Sequence, residues 1–211
     1  MPLGTEKGQL LIISGPSGSG KGTVTKKLIP CDNFALSVSM TTRDPRPGEV
    51  HGVDYIFCTK ENFMEIRDND GFLEHATFSG NYYGTPISYV ESKIDEGQTV
   101  VLEIEVVGAL QVKKKYPDAI LVFLMPPTFA DLRQRLIERG TECEDEIERR
   151  TRRAREEMVE LEKYDYLVVN DDIEQAMQDI HMVVKAEKMK PHRNQCKIET
   201  FYGDNMEGDE I

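Results

Sequence analysis

The sequence predicts an α/β fold built on a parallel sheet flanked by helices, with a small, mostly β insertion. Three observations predict it. A glycine-rich turn, Gly15-Pro16-Ser17-Gly18-Ser19-Gly20-Lys21, joins an apolar run to a helix-compatible stretch. Near-continuous apolar runs recur at residues 10–13, 99–104 and 119–125, as strands buried on both faces require. Helical intervals separate the later runs, which calls for a parallel sheet with right-handed crossovers.

The first run leads into the turn, and residues 23–29 continue as a helix. Strand, glycine loop and helix in that order are the context of a P-loop. Its glycines let successive backbone N–H groups turn inward as an anion nest, and the helix N-terminus adds its positive end. Lys21 can then reach β- and γ-phosphates as a mobile point charge. A plain Gly/Ser connection would explain neither the lysine nor the flanking periodicities. A dinucleotide fingerprint does not fit, because the glycine required five residues after Gly18 is Thr23. The site is one for a nucleoside triphosphate. One position departs from the pattern: the hydroxyl residue expected after the lysine, a magnesium ligand, is Gly22. Whether Thr23 compensates stays open.

A length of 211 residues suits one compact domain with insertions. No run of apolar residues is long enough for a membrane span or a signal peptide, so neither is expected. Cys31, Cys58, Cys143 and Cys196 are scattered without a C-x-x-C pair, which fits reduced thiols in a cytoplasm better than zinc or disulfides. A formal charge of −12 argues against bulk nucleic-acid binding but not against a nucleotide, which needs only a local nest of positive charge.

After the P-loop helix, residues 36–39 read as a short strand opening into Met40-Thr41-Thr42-Arg43-Asp44-Pro45-Arg46-Pro47-Gly48-Glu49. The prolines and glycine fix this loop. Arg43 and Arg46 on it resemble a phosphate clamp, although two solvated surface arginines would read the same way. Residues 53–58 read as a strand with Tyr55 and Phe57 on one face, and 60–67 as a helix started by Thr59. Residues 72–78 alternate as a strand that sets Glu74 and Ala76 opposite His75 and Thr77. Ser79-Gly80-Asn81-Tyr82-Tyr83-Gly84-Thr85-Pro86 is a polar, aromatic turn before a helix at 88–96. The stretch 36–96 therefore reads as an insertion carrying the inventory of a polar ligand site.

The run at 99–104 ends in Glu103-Ile104-Glu105. An acid at the end of a core strand near a P-loop serves magnesium, directly or through water; the alternative is a solvated strand-end carboxylate. Residues 106–116 form a crossover helix. Pro126-Pro127 opens another to about Arg139, with Thr128 as N-cap and Gly140 as the stop. Residues 142–162 form a long mixed-charge helix with Arg149, Arg150, Arg152, Arg153 and Arg155, where Asp145/Arg149, Glu146/Arg150 and Glu148/Arg152 are i,i+4 pairs. Most of these arginines read as surface, with one or two in a lid closing over a triphosphate. Residues 166–169 form a last strand, and Asn170-Asp171-Asp172 caps a helix to about Met189. From Pro191 onward periodicity is lost, and 191–211 reads as a solvated, acidic and mobile tail.

At this point the residues resemble guanylate kinase of the bacterial type, the ATP:GMP phosphotransferase, over about residues 8–188. The carrying motifs are the P-loop, the segment Val38 to Glu49 with its arginines and prolines, Phe78-Ser79-Gly80-Asn81-Tyr82-Tyr83-Gly84-Thr85, and Val169-Asn170-Asp171-Asp172. The resemblance implies a P-loop nucleoside monophosphate kinase fold over residues 1–190, with a core, a GMP-binding insertion at about 36–96 and a helical lid at about 127–160. It implies transfer of the γ-phosphoryl group of ATP to GMP with Mg²⁺, giving ADP and GDP for guanine nucleotide recycling.

Residue by residue, the resemblance implies that Arg43, Arg46, Tyr55 and Tyr83 hold the GMP phosphate, that Ser39, Glu74 and Thr85 contact guanine, and that Glu105 lies near its amino edge. It implies that Gly15, Pro16, Ser17, Gly18, Ser19, Gly20, Lys21, Gly22 and Thr23 bind ATP, with Arg139 and Asn170 near adenine. Lys21, Arg43, Arg135 and Arg150 would carry the transfer, and Glu103 would serve the metal, through water if not directly. Chemistry makes these roles sensible. Guanine presents N1–H and N2–H₂ as adjacent donors that one carboxylate accepts, whereas adenine would leave the acid unpaired. Four positions depart from the family: Glu103 and Glu105 where aspartates are common, Val107 where glutamine is frequent, and Met40 where serine is. Two other readings compete. A non-catalytic interaction module of the same fold would be expected to lose P-loop residues that are intact here. A P-loop kinase with another acceptor would not need the Ser39, Glu74 and Tyr83 set. The sequence leaves monomer and homo-oligomer equally open.

Overall fold

A computed structural model describes residues 7–31, 33–78, 80–138 and 144–203. Its core is a five-stranded parallel sheet in the order β2-β7-β1-β8-β9. These strands are β1 (Gln9–Ser14), β2 (Phe34–Leu36), β7 (Thr99–Glu103), β8 (Ile120–Met125) and β9 (Tyr166–Val169). The central strand β1 is buried along its whole length. Its side chains alternate between two cores. Leu11 and Ile13 join Val101, Val122 and Leu124 against Val24 and Leu28 of α1 (Lys21–Leu28) and Ala176, Ile180 and Val184 of α7 (Ile173–Lys188). Leu10 and Ile12 join Val100, Leu102 and Leu121 against α3 (Ile87–Asp95) and α4 (Val106–Lys115). Helices on both faces explain why these strands are apolar at every position rather than at alternate ones. No described helix is long and apolar enough to cross a membrane.

A second, four-stranded sheet has the order β4-β3-β6-β5. Its members are β3 (Met40–Thr41), β4 (Ile56–Phe57), β5 (Phe72–Phe78) and β6 (Asn81–Pro86). Helix α2 (Lys60–Asp68) covers it, with Thr59 accepting from the Asn62 N–H as N-cap. Phe63 stacks on Phe72 at 4.4 Å between ring centres, and Met40 is buried with them. Met40 thus belongs to this sheet's own small core, which accounts for an apolar residue there. Helices α5 (Phe129–Glu138) and α6 (Glu144–Met158) share a further cluster of Leu132, Leu136, Ile147 and Ala154. Thr128 caps α5 reciprocally with Asp131, its hydroxyl accepting from the Asp131 N–H at 3.1 Å and donating to the Asp131 carboxylate at 2.6 Å.

Several sequence expectations are corrected. Strand β2 ends at Leu36 instead of beginning there, because Phe34 is the residue buried against the sheet, while Ser39 sits in the connection to β3. The strand expected over 53–58 shrinks to Ile56–Phe57; Val53 is exposed and its N–H turns back to the Val50 carbonyl. The helix expected to run to Glu162 ends at Met158 and is followed by a 3₁₀ turn, Leu161–Lys163. Residues after Pro191 are not irregular: a 3₁₀ turn, Pro191–Asn194, leads into α8 (Gln195–Gly203). Polar anchors make that turn without any hydrophobic period. Asn194 Nδ2 donates to the Lys188 and Lys190 carbonyls, and Arg193 donates to the Asp118 carbonyl. The acidic end of the tail, 204–211, lies outside the described residues.

The turn after β1 needs glycine for a stated reason. Gly15 has φ +140°, and a β-carbon there would stand 2.1 Å from the Leu124 carbonyl oxygen of the neighbouring strand. Gly15→Ala is therefore expected to destabilise the protein by about 3 kcal/mol, through backbone strain and displacement of β8. Denaturant unfolding checks it; a loss below about 1 kcal/mol would contradict this packing.

Candidate functional site

The P-loop leaves β1 at the C-terminal edge of the sheet, where open α/β sheets bind ligands. Gly18 and Gly20 both have φ +91°, which turns the loop back over the start of α1. Lys21 Nζ donates to the Gly15 carbonyl at 2.6 Å and the Pro16 carbonyl at 3.2 Å. The lysine thus spans its own loop and holds positive charge at the loop's mouth. Asn170, just after β9, is buried; its Nδ2 donates to the Ser19 carbonyl at 2.8 Å, and its own carbonyl accepts from Arg135 at 2.8 Å. Asn170 therefore braces the loop from behind. Arg150 of α6 donates to Ser17 Oγ at 2.9 Å. Leu132 and Leu136 of α5 approach Gly18. Both helices of the α5–α6 pair thus rest on the tip of the P-loop. Arg139 lies outside the described residues.

Gly22 and Glu103 are read best together. A β-carbon on Gly22 would stand 3.5 and 3.8 Å from the Glu103 carboxylate oxygens. The acid reaches toward the space that a hydroxyl side chain would use. Among the described residues no group of three or more His, Cys, Asp or Glu could by itself hold a metal ion.

The second sheet gathers two clusters. In the first, one Arg43 nitrogen donates to both Glu49 oxygens at 2.8 and 2.9 Å, and another donates to the Asp44 carbonyl. The Arg46 N–H also donates to Glu49. Glu49 holds Arg43 above the usual arginine value and is itself held below the usual carboxylate range by Arg43 and the Arg46 amide. The Arg43 guanidinium lies 5.5 Å from the centre of the Tyr55 ring, which meets Tyr83 edge-on. Arg46 is on the exposed rim. In the second cluster Thr85 Oγ1 donates to Glu74 Oε1 at 2.8 Å, with Ser39 Oγ 3.5 Å from Thr85 Oγ1. The β5–β6 pairing register shifts between Phe72 and His75, the stretch that carries Glu74. Burial pushes the Glu74 carboxyl up, against the Thr85 hydroxyl, which pulls it down.

That shift has a consequence for stability. A carboxyl with a folded-state pKa above its unfolded value of 4.5 binds more protons when folded, so stability falls as pH rises through that window. Glu74→Gln removes the titration. The stability of the variant relative to wild type is therefore expected to grow from about pH 4.5 upward and then level off. Unfolding midpoints across pH test this; a constant difference would contradict a buried, charged Glu74.

Lys21, Glu74, Glu103 and Glu105 line one cavity of ≈ 430 Å³, with Val107 and Gln111 on its side. P-loop lysine and the part-buried Glu74 thus line one space of nucleotide size. Glu105 carries a partner that the sequence did not indicate. Arg153 of α6 donates to its Oε2 at 3.0 Å and to Glu157 Oε1 at 3.0 Å. The Arg153/Glu157 spacing is a legible i,i+4 pair, but the link to Glu105 is not visible in sequence. Burial first, then the charge of Glu105, pushes the Glu157 carboxyl up, while Arg153 and Lys21 pull it down. Of the pairs expected on this helix, Glu146/Arg150 and Glu148/Arg152 form, whereas Arg149 turns to Glu146 instead of Asp145.

The family model for guanylate kinase matches residues 7–187. Among solved structures the chain is similar to guanylate kinase from Anaplasma phagocytophilum, at 33% identity and TM-score 0.69, covering 92% of this chain and 95% of that one. It also matches TT1252 from Thermus thermophilus at 14% identity and TM-score 0.49, over 87% of this chain and all of that one (100%). Shikimate kinase from Bacteroides thetaiotaomicron matches at 17% identity and TM-score 0.46, over 84% and 98% of the two chains. The last two are too distant to bear on function.

Proposed function

Because the chain belongs to the guanylate kinase family and is an enzyme of that family, we propose that it transfers the γ-phosphoryl group of ATP to GMP, giving ADP and GDP. The supporting observation is the shared cavity, lined by both Lys21 and the Thr85-bonded Glu74. In this reading Glu74 accepts from guanine N1–H and N2–H₂, and the Ser39 and Thr85 hydroxyls serve O6 or N7. Glu105 stands at the amino edge. The GMP phosphate takes Arg43 and Arg46, with Tyr55 and Tyr83 beside them; Glu49 keeps Arg43 poised until a stronger anion competes for it.

The transfer needs little covalent help. The second pKa of a phosphate monoester is about 6, so at neutral pH the GMP phosphate is a ready nucleophile without a general base. Its oxygen forms a bond to the γ-phosphorus as the bond to the β-phosphate oxygen breaks, and ADP leaves with that electron pair. Lys21 exchanges its loop carbonyls for phosphate oxygens and neutralises the moving charge, with Arg135 and Arg150 closing from the lid side. Glu103 beside Gly22 would hold magnesium, with water intervening where the reach is short; bound there it would neutralise the β- and γ-phosphates. Closure of α5 and α6 keeps water from the γ-phosphate. The product would return guanine nucleotide to the diphosphate pool. The same reading puts the reaction in the cytoplasm, which the free thiols at Cys31, Cys58 and Cys196 support.

Phosphorus NMR of the protein with ATP, magnesium and GMP tests the transfer. GDP and ADP are expected to appear in equal amounts. ADP with free phosphate and no GDP would overturn the reading.

A further inference from the structure

Glu105 begins α4 at its N-cap position, yet its side chain caps no helix amide. It turns instead to Arg153, whose guanidinium joins it to Glu157. The three residues link the floor of the cleft to the helix that rests on the P-loop tip through Arg150. Glu157 is 9 % exposed, so the bridge has one buried end and one at the cleft's edge.

We propose that Arg153 is a positioning residue for the nucleotide acceptor: it fixes Glu105 for the acceptor's amino edge and thereby joins acceptor binding to the lid. This rests on the reading above. The direction of approach carries it. Arg153 lines a neighbouring cavity of ≈ 460 Å³ between α4 and α6, with Val106, Leu110 and Glu156. Glu105 lines the ≈ 430 Å³ acceptor cleft, which Arg153 does not. The guanidinium therefore reaches Glu105 from behind and does not occupy the acceptor's space. It takes Oε2 at 3.0 Å, which orients the carboxylate. Arg153 also offsets Glu157, leaving fewer uncompensated negative charges beside a cleft that must admit two anions. Val107 and Gln111 line both cavities, so the two spaces adjoin across one wall.

The test is steady-state kinetics of wild type, Arg153→Ala and Arg153→Lys, with GMP and ATP each varied. The bridge is half exposed, so removing it should raise KM for GMP by about five-fold, the upper range for such a pair. KM for ATP and kcat should stay within about two-fold, and lysine should restore part of the loss because it keeps the charge but not the fork. An unchanged or lowered KM for GMP in Arg153→Ala overturns the proposal, the lowered value meaning that Arg153 competes with the acceptor. Equal rises in both KM values also overturn it, because they mark a merely structural lid contact. A wild type that does not phosphorylate GMP overturns the functional reading itself, and this inference falls with it.

Discussion

Lys21→Met is expected to lower kcat by about 10²–10³-fold while leaving the fold intact, the cost of removing one preorganised charge from a phosphoryl-transfer site. Methionine keeps much of the side chain's bulk and removes only the ammonium. That ammonium donates to the Gly15 and Pro16 carbonyls of a loop already fixed by its glycines and by Asn170 behind it. The melting temperature should therefore move little, and KM for GMP less than kcat. Stopped assays with a thermal unfolding control check both. A variant within ten-fold of wild-type kcat would mean that Lys21 keeps to its loop carbonyls and never neutralises the transferring group.

Glu74→Gln is expected to lower kcat/KM for GMP by about 10²-fold and to narrow the gap between GMP and AMP. Two charge-assisted hydrogen bonds to adjacent donors are at stake, at about 1.5–3 kcal/mol each. Glutamine keeps one acceptor but turns an amide NH₂ toward a guanine donor. The Thr85 hydroxyl can still donate to the remaining carbonyl, so the local frame survives. Kinetics with both acceptors check this. Unchanged selectivity would mean that guanine is read elsewhere.

Much of this was legible in the sequence because it is encoded locally. The three central strands of the parallel sheet, β7, β1 and β8, announced themselves as near-continuous apolar runs, and Thr59, Thr128 and Asp172 as helix caps. The P-loop glycines were readable because only glycine fits the left-handed turns at positions 18 and 20. What stayed hidden depends on distant pairing. The register shift before His75 follows from how β5 meets β6, and no alternation rule contains it. Met40 looked like a site substitution until Phe63 and Phe72 closed around it. Arg153 was one arginine among several on a charged helix, and only the fold brings it 3.0 Å from Glu105. Asn170 was read as a nucleotide neighbour, and its bond to the Ser19 carbonyl of the P-loop is a further contact that the sequence did not show.

The most direct measurement is the rate of ADP formation with ATP and magnesium, offering GMP, dGMP, AMP, UMP and CMP in turn. Rapid turnover with GMP and near-silence with AMP is the expected result, since Glu74 can satisfy guanine's adjacent donors and not adenine's bare N1. GMP that binds without turnover, or turnover with AMP or a pyrimidine in its place, would contradict a guanine-reading phosphotransferase.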